Sequence, residues 1–383
     1  LQIAFMNTDP FVRKALKQYD RDYYHSLGGW TKRPDLEIGL ADLAGYNTKC
    51  PRLKQFKDDS RFNTCLQASI VEARKIFQAV DLPHLRVEYA AISLPEATAA
   101  GFTWPNKKKV EVFDQIFDVA RYMMHMIRDD RKVYIPPVKL GFRGHLSKIE
   151  ERKVRSVWVY PAEILLMENI WMKPYYKHLE NNVDQVFFGP KSFGKLRDRL
   201  NEPLVCKNEV TFDFSKFDKN CTNYLVDIAF DIIENSFDQS YTNWIDCDRN
   251  SYTYPTKSFK KVFNFVKSYF KKTKIMLPDG SVIVKEHGVP SGSMFTQAVD
   301  SIVNYLMITT LCRLNKVPVY DLVVLGDDSH FRTPSHPNLP IEDIASDALY
   351  YFGSIINPDK ANIYPGKSKV RKFIGYQFSG DKP

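Results

Sequence analysis

The chain has 383 residues, 44% apolar and 26% charged, a globular composition that excludes intrinsic disorder, a collagen-like repeat and a disulfide-stapled miniprotein. Its 54 basic and 45 acidic residues leave a formal charge of +9, which fits a nucleic-acid partner without being diagnostic of one. No apolar run approaches the roughly 20 residues of a membrane helix, no signal-peptide pattern opens the chain, and the six cysteines include no CxxC pair, so reduced thiols in a cytosolic compartment are the expectation.

The elements are readable mainly in the second half. Apolar residues at 3–4 spacing predict helices over 63–80 and 111–128, whereas 154–160 reads as a strand closed by Pro161 and followed by a helix over 163–171. A strand is expected at 205–214 and a helix at 223–237. The segments 274–276 and 282–284 flank Asp279-Gly280 and predict a hairpin. A long helix follows over 295–314. Segments 320–325 and 330–332 bracket a tight acidic turn, 340–352 reads as a helix closed by Gly353, and 372–378 as a last strand. This order predicts an α+β fold with a small, mainly antiparallel sheet packed on helices.

Four patterns carry chemistry. Asp213 closes an otherwise apolar strand, and Asp218 follows at the start of a helix; Asp218 alone also reads as a helix cap, but a carboxylate at the end of a buried strand needs a partner or a cation. Gly326-Asp327-Asp328 puts two repelling carboxylates on a hairpin tip, where Gly326 supplies the backbone freedom of a tight turn. If the two strands are neighbours, Asp213 and Asp327 face one point, an oxygen-rich donor set suited to Mg²⁺. The loop from Gly288 through Ser291 and Gly292 runs into a helix carrying Thr296, Asp300 and Asn304 at i, i+4, i+8, either a phosphate- or sugar-facing stripe or a solvated face. On a strand, Lys153 and Arg155 point the same way and suit a triphosphate, although a basic strand edge has the same pattern. Gly366-Lys367-Ser368 superficially matches a P-loop but lacks its first glycine and follows a helix, so it reads as a turn. Lysine clusters such as Lys107, Lys108 and Lys109 read singly as solvated surface.

In order and spacing, these motifs resemble those of viral RNA-dependent RNA polymerases, most closely the partitivirus-like polymerases of double-stranded RNA viruses. Asp213-x4-Asp218 resembles motif A, Ser291-Gly292-x3-Thr296 motif B, Gly326-Asp327-Asp328 motif C, and Lys153-Val154-Arg155 motif F; Asn357-Pro358-Asp359-Lys360, Lys372-Phe373-Ile374-Gly375-Tyr376 and Thr98-Ala99-Ala100-Gly101-Phe102 are similar to motifs D, E and G.

The resemblance, which covers about residues 95–378, implies a right-hand polymerase. Its fingers would lie in 1–90 and 91–204 with an insert at 238–286, and its palm in 205–237 and 287–383. Asp213, Asp327 and Asp328 would hold two Mg²⁺ ions (or Mn²⁺), Lys153 and Arg155 the triphosphate, and Lys360 would protonate pyrophosphate. Asp218, Ser291, Gly292, Thr296 and Asp300 would read the ribose, whose 2′-hydroxyl marks RNA. Gly101 and Lys107 to Lys109 would contact RNA template and nascent RNA. Asp300 departs from the asparagine of many positive-strand polymerases, because an ionised carboxylate cannot donate a hydrogen bond. A thumb is expected to be missing, the chain being truncated or completed by a second chain. Work in the host cytoplasm, within viral particles beside a capsid protein, is the implied setting. The alternatives are a reverse transcriptase, an RNA-binding fragment without activity, and a metal-dependent nuclease.

Overall fold

The computed structural model describes residues 10–26, 30–47, 58–188, 194, 208–238, 243–245, 251–253, 259–334, 339–358, 361–365, 370–373 and 376–379. Two long helices form its centre. Residues 162–172 of the helix Ala162–Asn182 and nearly all of Thr296–Leu314 are buried, so the polar side chains they carry need partners inside the protein. The amphipathic helix Ser60–Phe77 lays Phe62, Leu66, Ile70, Ala73 and Phe77 against Thr296–Leu314, and Asn223–Glu234 packs on the same helix. Phe113–Arg128 and Phe259–Lys271 cover Ala162–Asn182. One continuous apolar core results.

Two four-stranded sheets flank these helices. The first, here the basic sheet, has Val282–Val284, Lys274–Met276, Val138–His145 and Lys153–Val159 side by side. Its Asp279-Gly280 hairpin is antiparallel as expected, with Gly280 at φ 85, while Lys274–Met276 joins Val138–His145 in parallel. The second, here the central sheet, is wholly antiparallel, in the order Tyr320–Leu325, Asp328–Thr333, Asn208–Phe212, Asn362–Pro365. The registers Leu325↔Asp328 and Ser329↔Phe212 bring the Gly326–Asp327 turn and the residue after Phe212 to one end of this sheet.

Several boundaries differ from the sequence reading. The strand expected over 205–214 breaks at Asp213: Asn208–Phe212 stays in the central sheet, while Phe214–Ser215 pairs with Ile355–Ile356. The helix after Pro161 extends to Asn182 through Pro174, because tertiary burial overrides the local break. The helix expected over 340–352 is α-helical over Ile341–Asp347, then widens into a π-turn over Ala348–Phe352 that Gly353 ends at φ 64. The last strand is instead an antiparallel pair, Val370–Phe373 with Tyr376–Ser379. Gly366-Lys367-Ser368 and Lys360 lie outside the described residues. No described helix is long and apolar enough to cross a membrane.

Candidate active site

Five aspartates converge at one end of the central sheet. Asp213 follows the last residue of its strand and is exposed there rather than buried, so the recess it borders is open. Asp327 and Asp328 also reach solvent, yet protein stands close around them. Burial in the recess and the neighbouring charges of Asp327 and Asp213 push Asp328 up to about 6. Burial and Asp213 likewise raise Asp327. Asp218, in the first turn of the Phe217–Asn220 helix, rises to about 6 from burial and the Asp327 charge, with Arg155 and Lys219 pulling against them. Its side chain does not cap that helix, whose N-cap is Lys216. Asp300 is buried, and burial together with Asp218 and Asp327 drives it far above the usual carboxylate range. A neutral carboxyl can donate a hydrogen bond, as the amide of an asparagine does.

The polar stripe of the Thr296–Leu314 helix holds the acidic turn. Gly326 N–H donates to Ser301 Oγ at 3.0 Å, and Asn304 Nδ2 donates to the carbonyls of Gly326 (2.9 Å) and Asp328 (3.0 Å). Asp300, Ser301 and Asn304 are buried, so the stripe is not a solvated face. Gly326 sits at φ 59, a left-handed backbone that favours glycine, and an added Cβ would stand 2.9 Å from Gln297 Nε2 and displace that side chain.

The basic strand and the glycine-rich loop close the recess. Residues 153–158 alternate exposed and buried, with Lys153 and Arg155 on the exposed side as expected. The Arg155 charge acts on both Asp218 and Asp327, which brings the two motifs together. The loop is pinned to the Asp218 helix: Gly288 N–H donates to Cys221 O (2.9 Å) and Val289 N–H to Asp218 O (2.7 Å). Gly292 adopts φ +127, with its Cβ position 2.4 Å from Trp158 O. Thr296 donates its hydroxyl to Pro290 O at 2.7 Å, which rigidifies the loop, and Ser291 is half-buried beside Gly292.

Three residues escaped the sequence reading. Glu168, fully buried, accepts Ser293 Oγ–H (2.9 Å) and Met294 N–H (2.7 Å) through Oε2, so it supports the loop from below. A glutamate in mid-run of the apolar stretch 164–172 was the available signal. Tyr46 packs edge-on against Trp158 at 4.8 Å, and burial and the charges of Asp218, Asp42 and Asp300 raise its phenol. Asp42 bonds Ser156 and Lys219. Neither Tyr46 nor Asp42 carries a motif.

The residues expected to touch RNA divide. Gly101, at φ +99 against the backbone of Tyr160 and Pro161, lines a recess of about 170 Å³ with Trp104, Lys107 and Lys139. Lys107 pairs with Glu111 at 3.3 Å and Lys108 is exposed. Lys109 instead turns inward: it is buried, and its Nζ donates to Thr98 Oγ1.

Among the described residues no three His, Cys, Asp or Glu side chains form a ready-made metal site. The donor set at the recess is nevertheless all carboxylate, and burial followed by mutual repulsion weakens Asp327 and Asp328 as acids, a cost that a hard cation would offset.

The family model for viral RNA-dependent RNA polymerase matches residues 93–383. The chain is 28% identical over 291 residues to the RNA-directed RNA polymerase of Cryptosporidium parvum virus 1 (strain KSU-1), covering 72% of this chain and 52% of that protein. It is 26% identical over 241 residues to the RNA-directed RNA polymerase of White clover cryptic virus 1 (isolate Boccardo/2004), covering 57% and 38%. The chain thus spans about half the length, or less, of these curated relatives. The crystal structure of the RNA-dependent RNA polymerase of a human picorbirnavirus superposes with a TM-score of 0.64 at 15% identity, over 97% of this chain and 68% of that one, and so shares its fold. With the family match spanning three quarters of its length, the chain belongs to the viral RNA-dependent RNA polymerase family.

Proposed function

We propose that the protein catalyses template-directed attack of an RNA 3′-hydroxyl on the α-phosphate of a ribonucleoside triphosphate, releasing pyrophosphate. The observation that carries this reading is the electrostatic convergence of Asp213, Asp327 and Asp328, with the Arg155 charge acting on Asp327. Asp213 and Asp327 would hold the divalent ions, Mg²⁺ or Mn²⁺, with Asp328 assisting; bound there, such ions would neutralise phosphate charge and activate the attacking hydroxyl. The chain's own part is positioning. Lys153 and Arg155 bind and orient the triphosphate from the exposed side of their strand. Asp218, Asp300 and the Ser291–Thr296 loop form the wall that reads the ribose, where a neutral Asp300 donates and Asp218 accepts. Lys360 is assigned the proton for the departing pyrophosphate.

On this reading the central sheet is the palm (205–237 and 287–383), and the basic sheet with residues 91–204 and 238–286 forms the fingers. The recess at Gly101, Trp104 and Lys107 is where template enters. The setting proposed for this work is the host cytoplasm, which the similarity to polymerases of viruses supports.

The test is ribonucleotide incorporation on a short single-stranded RNA template with Mg²⁺, comparing the protein with its Asp327→Ala, Asp328→Ala double variant. Incorporation that the double variant loses supports the assignment. Incorporation that survives in the double variant overturns the metal-site reading, preference for deoxynucleotides indicates reverse transcription, and RNA cleavage without nucleotides indicates a nuclease.

A further inference from the structure

Residues 36–47 lie outside the matched stretch 93–383, yet they are wedged against the proposed nucleotide site. The helix Leu36–Ala44 packs on the strand Lys153–Val159, and the turn Gly45–Asn47 on the helix Phe217–Asn220. Between them stands Asp42. Its Oδ2 accepts both the backbone N–H (3.1 Å) and the hydroxyl (2.7 Å) of Ser156, and its Oδ1 takes the ammonium of Lys219. Burial pushes this carboxyl up, but Lys219 and the two Ser156 hydrogen bonds outweigh it and hold it below the ordinary aspartate range.

The two partners of Asp42 are chain neighbours of the site. Ser156 is on the buried side of the basic strand directly after Arg155, and Lys219 follows Asp218. Tyr46 backs the same junction: its ring lies 4.8 Å from that of Trp158 and 5.9 Å from the Lys219 nitrogen, and its carbonyl accepts His287 N–H at 3.3 Å. One carboxylate therefore spans from the strand that carries Arg155 to the turn that carries Asp218.

We propose that Asp42 is a positioning residue that fixes the gap between the Arg155 strand and the Asp218 turn, and so the seat of the incoming ribonucleoside triphosphate. This rests on the function proposed above. A charge-assisted double acceptor resists sliding of the strand more than packing alone does, and small displacements of a binding group cost rate steeply.

The experiment compares wild type, Asp42→Ala, Asp42→Asn and Ser156→Ala in two readouts. In single-nucleotide incorporation, Asp42→Ala should raise the KM for ribonucleoside triphosphate about tenfold while changing kcat much less, the pattern of lost binding geometry. Asp42→Asn, whose amide oxygen still accepts from Ser156, should recover part of that loss, and Ser156→Ala should fall between. In amide hydrogen exchange, Asp42→Ala should speed exchange across residues 153–159 and leave residues 320–325 unchanged. An unchanged KM in a variant that melts like wild type, or unchanged exchange at 153–159, overturns the proposal. If the wild-type protein incorporates nothing, the catalytic reading fails, and the exchange readout still decides whether Asp42 holds the strand.

Discussion

Replacing Glu168 with glutamine should change how the protein's stability responds to pH. Oε2 of Glu168 accepts from Ser293 and Met294, while Oε1 is buried without a hydrogen-bond partner. Burial pushes this carboxyl from 4.5 to about 8, against the pull of the two hydrogen bonds, so at neutral pH the neutral acid predominates. The folded state holds that proton over a range where the unfolded chain has released it. Glu168's contribution is therefore fully present below pH 4.5, is lost as pH rises towards 8, and changes no further above that. At 1.36 kcal/mol per unit, the loss is about 5 kcal/mol.

An unfolding entropy of about 2.1 cal/mol/K per residue comes to about 0.8 kcal/mol/K over the chain, so the loss corresponds to about 6 °C in Tm. Glu168→Gln keeps an oxygen for Ser293 and Met294 but cannot ionise. Calorimetric melts of both proteins from pH 5 to pH 9 should show the variant close to the parent at pH 5. Part of the loss already lies below pH 5, so the gap should then move by about 5 °C in the variant's favour by pH 9. A gap that stays constant across that range would refute the reasoning, because Glu168 would then be ionised in the folded protein as it is in the unfolded chain.

Gly292→Ala must fit a Cβ at φ +127 and 2.4 Å from Trp158 O; we expect a loss of about 2–3 kcal/mol in denaturant unfolding and a matching fall in incorporation. Asn304→Ala leaves the Gly326 and Asp328 carbonyls without their donor; incorporation should fall at least tenfold through kcat, for a stability cost of about 1–3 kcal/mol read by melting. Asp218→Ala should lower the preference for ribo- over deoxynucleotides about tenfold, measured as the ratio of kcat/KM values.

Much of the site is legible in the primary structure because its chemistry is local. Gly326-Asp327-Asp328 announces a tight acidic turn, Asp279-Gly280 a hairpin, and Lys153 and Arg155 a shared strand face, since each depends only on backbone geometry over a few residues. The length of the helix after Pro161 was not legible, because its continuation through Pro174 depends on helices that cover it from elsewhere in the chain. Nor was the single strand over 372–378 distinguishable from a pair, since apolar alternation is the same on both sides of a turn.

Residue order dictates which side chains carry charge and in what local geometry. Which of them meet depends on how the elements pack. Sheet order brought Asp213 to Asp327, and the packing of Thr296–Leu314 turned Asp300 and Asn304 into buried contacts rather than a wet face. The inward turn of Lys109 onto Thr98, the protonation of Glu168 and the bridge of Asp42 from Ser156 to Lys219 come from contacts distant in sequence or from burial. Burial and Coulomb interaction depend on distance in space, which residue order does not encode locally.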